Sequence, residues 1–194
     1  MIANLENKGD ADGDGIVRYI ILQGDPANVD AQQRTEYSIK ALKDAGVEHE
    51  ALAEPYQADW DASLGQERTA NALEQFGEKL DVIFSNNDGM AMGAITAIES
   101  AGRKVNEDIY LVGVDAIDDA IEALKDGTLT GTVLNDYYNQ AHTVAEVALK
   151  LLAGEEVSSY YWHDYVPVQT PEDAEPKRQD YREETVEDVK KRYA

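Results

Sequence analysis

DVIFSNNDGMAMG, residues 81–93, changes from the pattern of a buried strand to that of a helix within three residues. The β-branched and aromatic run at its start suits a strand that is covered on both faces, as in a parallel sheet. Asp88 is placed to cap the helix that follows, whose apolar stripe runs over residues 90–101. Asn87 then lies at the carboxyl end of the strand, where open parallel sheets bind their ligands. The alternative is that Asn87 only shapes the turn.

The same alternation of strand and helix recurs on both sides of this stretch. Strands are predicted over residues 16–22, 49–53, 81–85, 109–114 and 129–134, and a helix follows each of them. Right-handed crossovers between parallel strands place helices on both faces of one sheet. The sequence therefore predicts the α/β class, a three-layer, doubly wound parallel sheet.

The region after the fifth strand is predicted to contain a long helix, an extended segment and a tail. The helix is expected to turn its apolar residues inward, and these are Ala141, Val144, Ala148, Leu151 and Leu152. An aromatic segment over residues 160–168 is predicted to be extended. Residues 169–194 are rich in proline and charge, which predicts a polar tail with a short helix near Val186. The globular lobe is thus expected to span residues 1–168.

Charge and composition exclude several classes of function. The 194 residues include 39 Asp and Glu against 17 Lys and Arg, a formal charge of −22 that repels phosphate backbones and anionic membranes. We therefore expect no nucleic acid partner. Without cysteine, neither a disulfide nor a thiolate site can form. No stretch predicts a transmembrane span, and the first residues lack a signal-peptide pattern, which suggests a mature, cytosolic or partial chain.

Residues 10–18, DADGDGIVR, carry the pattern of a calcium-binding loop. Asp10, Asp12 and Asp14 stand at alternate positions, a glycine at the sixth position permits a sharp turn, and Ile16 would offer its backbone carbonyl at the seventh. Arg18 occupies the ninth position, where an oxygen ligand is usual. A strand rather than a helix follows, so another part of the chain must complete the coordination shell. The alternative is an acidic turn without metal.

Polar or aromatic side chains follow all five predicted strands at the same edge of the sheet. They are Asp30, Trp60, Asn87, Asp115 and Asn135. Carboxylates and amides pair with neighbouring hydroxyls, and an indole covers apolar C–H groups, so a sugar is the expected ligand. Arg34 follows Asp30 by one helical turn, although a simple surface ion pair is the alternative.

The sequence lacks the parts of most enzymes. No Ser or Cys nucleophile stands beside a base, and no glycine-rich phosphate loop is present. A glycosidase needs two carboxylates that flank a bond, and Asp30 with Asp115 could imitate that pair, so this class is kept as a minor alternative. We predict a non-enzymatic protein.

These motifs resemble the C-terminal lobe of bacterial periplasmic D-galactose/D-glucose-binding proteins, receptors of sugar ABC transporters and of chemotaxis. The resemblance covers about residues 8–168 and rests on specific motifs. They are the loop over 10–18, VDAQQRT at 29–35, WD at 60–61, NNDGMAMG at 86–93, GVDA at 113–116 and GTVLND at 131–136. The resemblance implies that the chain has the fold of one lobe of a type 1 periplasmic binding protein.

The resemblance also implies a set of ligand residues. Those for the sugar are Asn28, Asp30, Arg34, Trp60, Asn87, Asp115 and Asn135, and those for calcium (Ca2+) are Asp10, Asp12, Asp14, the Ile16 carbonyl and Asp81. Two of these depart from the family. Asn28 stands where the family usually has His, and Asp81 replaces a Glu that would be one methylene longer.

The resemblance further implies partners and a location. The expected ligand is D-galactose or D-glucose, the expected partners are an ABC permease and a chemoreceptor, and the expected location is periplasmic or extracellular. The family's N-terminal lobe would precede residue 10 and supply the opposite wall of the cleft. Without that lobe, residues 136–168 are expected to pack against a partner, such as a second copy of the chain in a homodimer. The alternatives are the effector domain of a LacI-type transcription regulator and a structural half-lobe that binds nothing.

Overall fold

The central sheet forms from the apolar runs of the sequence. The computed structural model describes residues 1–159, 161, 163 and 165–170. Its strands are β1 Val17–Gln23, β2 His49–Ala51, β3 Tyr56–Gln57, β4 Val82–Ser85, β5 Tyr110–Val112, β6 Thr132–Leu134 and β7 Val166–Val168. The main sheet has the order β2-β1-β4-β5, with β3 also paired to β1, and all of these pairs are parallel. β4 is buried at every position and lies between β1 and β5, so residues 81–93 do begin at the centre of the sheet.

Helices cover both faces of this sheet, which confirms the predicted three-layer α/β fold. They are α1 Val29–Asp44, α2 Ala62–Phe76, α3 Asp88–Ser100, α4 Asp118–Lys125 and α5 Tyr137–Leu152, with single 3-10 turns at Ile2–Asn4 and Gly77–Lys79. Ile20 and Leu22 of β1 point into the core formed with α2 and α3. Tyr19 and Ile21 point to the other face, against Leu42 of α1. The alternation follows from the two-residue period of a strand.

Two glycines allow α2 and α3 to pack closely. A Cβ at Gly93 would overlap the carbonyl of Ala62, and one at Gly65 would press on the backbone of Met90. Larger residues at either position would force the helices apart, and α3 would then no longer pack against the sheet in the same position. Because α3 begins at the candidate site, this contact also fixes where the site lies.

β6 lies on the far side of β5 and runs parallel to it, but only one isolated bridge, between Val112 and Gly131, joins the two strands. The amide of Gly113 donates to the carbonyl of Gly131 at 3.0 Å, and that of Asp115 donates to Val133 at 2.8 Å. β6 also pairs antiparallel with β7, which is the strand that forms within the predicted extended segment. Residues 160, 162 and 164 of that segment, and the predicted tail helix near Val186, lie outside the described residues.

The prediction that α5 buries its apolar residues is wrong. Val144 is 70% exposed, Leu151 57% and Leu152 85%, and no residue of α5 is buried. A 3.6-residue period establishes that a helix has an apolar face, but it does not specify what covers that face. Within the described ranges nothing covers it. The same ranges contain no helix that is both long and apolar enough to cross a bilayer.

Candidate functional site

The site is built where the strands of the main sheet end and the following helices begin. Asn87 caps α3, because its extended backbone lets Oδ1 accept the N–H of Met90 at 2.9 Å. Its amide Nδ2 lies 3.5 Å from the carbonyl of Trp60. The prediction that Asp88 caps this helix is therefore wrong. Asp88 is already the first helical residue, so its side chain turns inward instead of over the helix end.

Trp60 occupies an unusual backbone conformation. Asp59 has φ 48° and Trp60 has φ 66°, two consecutive left-handed residues, which is rare for a bulky side chain. This geometry lays the indole over Gly24, where a Cβ would overlap the ring. Trp60 is half-buried against the main core and its ring also faces the Arg34 guanidinium, 5.7 Å from the ring centroid. It therefore packs against the core and also borders the candidate site beside Arg34.

Arg34 joins the elements of the site. Its Nη1 donates to the carbonyl of Asn86 at 2.8 Å and lies 3.5 Å from Asp115 Oδ1. Nη2 lies 3.5 Å from the Tyr165 hydroxyl. The ion pair that Arg34 makes is therefore with Asp115 across the sheet edge, instead of the surface pair with Asp30. The Nε–H of Arg34 is buried and has no hydrogen-bond partner among the described residues.

Asp115 and Asn135 complete the connected part of the site. Asn135 Nδ2 donates to Asp115 Oδ1 at 3.4 Å, while its Oδ1 accepts from Gln140 at 2.8 Å. Burial raises the pKa of Asp115, and the Arg34 charge and the Asn135 hydrogen bond oppose that rise. Asp115 has φ 114°, a strained value that aims its carboxylate toward Arg34.

Asn28 and Asp30 lie at the rim of the site. Asn28 is exposed and caps α1, with Oδ1 accepting the N–H of Asp30 at 2.7 Å. Asp30 is exposed and borders a groove of about 340 Å³ that Arg34 and Tyr165 also line. The structure thus connects Arg34, Trp60, Asn87, Asp115 and Asn135 directly, and it places the other two predicted residues beside them.

Sequence reasoning missed three residues that hold the site. Asn86 is buried and its side chain lies 3.3 Å from the amide of Gly24 and 3.3 Å from Thr35 Oγ1, which ties β4 to β1 and α1. Tyr165 reaches Arg34 from beyond β6, and Asp88 lies buried beneath Asn87. The signal for Asn86 and Asp88 was present, since two polar residues flank Asn87 directly after a fully apolar strand. Nothing in the sequence indicated Tyr165.

Asp81 organises the predicted calcium loop. This carboxylate is fully buried, and Oδ1 accepts the N–H groups of Ala11 at 3.0 Å and Asp12 at 3.2 Å. Oδ2 accepts the N–H of Arg18 at 2.8 Å. Burial raises the pKa of Asp81, and these three hydrogen bonds oppose the rise. One residue next to β4 therefore fixes both ends of the loop.

The donor atoms of this loop fit a hard cation in part. Asp10, Asp12 and Asp81 offer carboxylate oxygens that all lie within 4.8 Å of one another, an arrangement suited to Ca2+. Asp14 is engaged elsewhere: its Oδ2 lies 2.6 Å from Arg18 Nη1, and this contact lowers the pKa of Asp14. The Arg18 guanidinium also lies 3.8 Å from Asp12. A positive side chain thus already neutralises part of the loop.

Comparison with known proteins gives a consistent result. A family model described as a periplasmic binding protein domain matches residues 1–156. The D-galactose/methyl-galactoside-binding periplasmic protein of Haemophilus influenzae is 36% identical over 146 residues, which are 75% of this chain and 43% of that protein. The ribose import binding protein of Salmonella typhimurium is 33% identical over 149 residues, 77% of this chain and 48% of that protein.

Solved structures agree with this assignment. An ABC transporter periplasmic solute-binding protein from Actinobacillus succinogenes, with bound D-allose, is 30% identical with a TM-score of 0.76, covering 90% of this chain and 60% of that one. An ABC transporter solute-binding protein from Bacillus halodurans, with bound myo-inositol, is 32% identical with a TM-score of 0.75, covering 84% of this chain and 55% of that one.

The chain spans about half the length of the curated relatives it matches. These relatives are binding proteins, which confirms the prediction that the chain is not an enzyme. The family match covers most of the sequence, and the observed sheet and helices are those of the matched structures. The chain therefore belongs to the periplasmic binding protein domain family.

Proposed function

We propose that this chain is the sugar-binding lobe of a periplasmic or extracellular receptor that serves an ABC transporter. The observation that carries the proposal is the network of Arg34, Asp115 and Asn135 beside the Trp60 ring, at the carboxyl edge of the sheet. The buried Nε–H of Arg34 adds a donor for which the described protein atoms supply no acceptor. Such unpaired donors are costly unless a ligand or water satisfies them.

The chemistry of this network suits a monosaccharide. A carboxylate and an amide oxygen accept hydrogen bonds from sugar hydroxyls, while the guanidinium and amide N–H groups donate to them. The indole face covers the apolar C–H groups of a pyranose ring. The name of the Haemophilus influenzae relative favours D-galactose, and D-glucose differs from it at one hydroxyl. We assign D-galactose or D-glucose as the ligand.

The position of the site at one open edge indicates a single wall of a cleft. We propose that the chain corresponds to the C-terminal lobe of the family, that a second lobe closes the cleft, and that an ABC permease and a chemoreceptor recognise the closed form. A LacI-type effector domain is not favoured, because the relatives named above are transport and binding proteins. A half-lobe that binds nothing is an outcome of the experiment below.

Titration of the chain with D-galactose, D-glucose and D-ribose, followed by protein NMR, tests this function. We expect a Kd of about 1 mM or weaker for the hexoses, because hydrogen bonds that face water on one side contribute little net free energy. Asn87→Ser keeps an acceptor for the helix cap but removes the amide donor, and Asp115→Asn keeps the side-chain shape. Both should weaken binding, whereas Asn71→Ala on the exposed face of α2 should not.

Two outcomes would contradict the proposal. One is the absence of chemical-shift changes with any hexose at about one hundred times the expected Kd. The other is binding that persists unchanged in Asn87→Ser and Asp115→Asn. Submicromolar affinity of the monomer would show that the pocket has a second wall within this chain.

We also propose that the loop over residues 10–18 binds Ca2+ through Asp10, Asp12 and Asp81. The Ile16 carbonyl and Asp14 would complete the shell, and Asp14 must first leave Arg18. A bound cation would offset the repulsion among these carboxylates, so calcium should raise the melting temperature and a chelator should lower it. Asp12→Asn should abolish the calcium response, and Glu74→Gln on α2, which removes an equal charge, should keep it. Identical melting with calcium and with chelator would show that the loop is only a turn.

A further inference from the structure

Asp88 is a buried carboxylate directly beneath the candidate sugar site. It is fully shielded from solvent, and the Thr132 hydroxyl donates to it, 2.8 Å from Oδ1 and 3.0 Å from Oδ2. The N–H of Ile117 donates to Oδ2 at 3.1 Å. The backbone N–H of Asp88 donates to the carbonyl of Val114 at 2.7 Å. One residue thus connects the first turn of α3 with β6 and with the loop after β5.

The loop that Asp88 holds is strained. Asp115 and Ala116 have φ values of 114° and 54°, which non-glycine residues seldom adopt. The Ala116 N–H donates to Thr132 Oγ1 at 3.3 Å, so the hydroxyl that donates to Asp88 also fixes the strained turn. The fit is close, because a Cβ at Gly113 would overlap Asp88 Oδ1. Strained conformations persist only where the surroundings determine them, and Asp88 is one of the groups that hold this turn.

The Asp88 side chain does not cap α3. Asn87 already caps α3, and the oxygens of Asp88 accept from β6 and from the loop over residues 113–117 instead of from its own helix. The side chain that the strained loop presents is Asp115, which faces Arg34 at 3.5 Å and Asn135 at 3.4 Å. We expect Asp88 to act on the site through Asp115.

We propose that Asp88 is a positioning residue for sugar recognition: its ionised carboxylate holds the loop over residues 113–117 in the strained form that presents Asp115 to the sugar. The inference rests on the proposed function and extends it. The ionised carboxylate can accept from Thr132 and Ile117 together. A proton on Oδ2 would turn that oxygen into a donor, so the Ile117 N–H would lose its acceptor and the loop would loosen.

Burial and the neighbouring charges place the protonation of Asp88 near neutral pH. Burial raises the pKa of Asp88 to about 7, and the Asp115 charge adds to the rise, while hydrogen bonds from Thr132 and Ile117 oppose it. Asp115 in turn faces the Arg34 guanidinium of α1 and the Asp30 carboxylate. β6 contributes the neutral Thr132, and the loop contributes the Ile117 N–H besides the Asp115 carboxylate. The ionised fraction rises about tenfold between pH 6 and pH 8, so the affinity for sugar should rise by a similar factor.

The experiment combines galactose titration with hydrogen exchange. Wild type should bind D-galactose about tenfold more tightly at pH 8 than at pH 6. Asp88→Asn should bind weakly at both values of pH. Without sugar, the amides of Ala116 and Ile117 should exchange faster in Asp88→Asn, while those of α2 stay unchanged. Thr132→Val should reproduce this loosening, and Thr132→Ser, which keeps the hydroxyl, should behave as wild type.

The two measurements separate the proposals. If wild type binds no galactose at either pH, the proposed function fails, and the exchange of Ala116 and Ile117 still decides whether Asp88 holds the loop. The positioning role is overturned if both amides exchange equally in wild type and in the Asp88→Asn and Thr132→Val variants. It is also overturned if Asp88→Asn retains the affinity and the pH profile of wild type.

Discussion

Replacing Asp88 by Asn should change how the stability of the protein depends on pH. The pKa of this carboxyl is about 7 in the fold, against 3.8 for an unperturbed Asp. Between these values the folded protein keeps a proton that the unfolded chain has released. The contribution of Asp88 to stability is therefore fully present below about pH 4 and is lost as the pH rises through about 7.

The magnitude follows from the two pKa values. Each pH unit in that interval costs about 1.4 kcal/mol, so Asp88 alone should lower the free energy of unfolding by about 3 kcal/mol between pH 5 and pH 8. Asn resembles the protonated acid in size and in hydrogen bonding but does not titrate. The variant should therefore lose about 3 kcal/mol less stability than wild type between pH 5 and pH 8, whatever its stability at pH 5.

Urea unfolding of both proteins at constant ionic strength, at several values of pH from 5 to 8, measures this difference directly. Subtracting the two curves removes the contribution of the other carboxylates, which are the same in both chains. Glu74→Gln controls for the loss of one negative charge and should remain parallel to wild type. If the curves of wild type and Asp88→Asn are parallel as well, Asp88 is not protonated near neutral pH.

Three further predictions concern other parts of the molecule. Arg18→Gln frees Asp14 from its ion pair, so calorimetry should show calcium affinity raised by about tenfold; unchanged affinity would mean that Arg18 does not compete with the metal. Gly24→Ala places a Cβ against the Trp60 ring, so it should lower the free energy of unfolding in urea by about 1–3 kcal/mol and abolish hexose binding. A variant that keeps the stability and the hexose affinity of wild type would contradict the described packing. We propose that the exposed apolar face of α5 associates with a second copy of the chain. Sedimentation should then show a dimer at high protein concentration, and Leu151→Glu should dissociate it. A strictly monomeric wild type would refute this association.

The sheet and the edge that carries the site could be predicted from sequence because they follow from local patterns and a general rule. Apolar runs identify the strands, and right-handed crossovers bring their carboxyl ends to one edge. The residues after those strands, such as Asn87 and Asp115, had to lie together once the order was known. The antiparallel pairing of β7 was not predictable in this way, because no crossover rule specifies how the last segment returns.

The details within the site depend on contacts that local patterns do not encode. Arg34 had two possible acidic partners, and helix spacing favoured Asp30, whereas the fold places the ion pair with Asp115. Asn and Asp are equally good caps, so only the backbone at Asn87 decides that Asp88 turns inward. In the same way, the spacing of Asp14 predicts a metal ligand but does not reveal that Arg18, four residues away, pairs with its carboxylate.

The hydrogen bonds of Asp81 determine when the N-terminal loop can become ordered during folding. Its oxygens hold Ala11 from 70 residues away and Arg18 from 63 residues away, and both contacts exist only when β4 lies beside β1. Closing so long a stretch of chain is entropically costly, so the loop cannot form early by itself. It should acquire order after the central strands have paired and should open first when that pairing weakens. The hydrogen-exchange rates of the Ala11 and Asp12 amides would then indicate whether β1 and β4 are still paired.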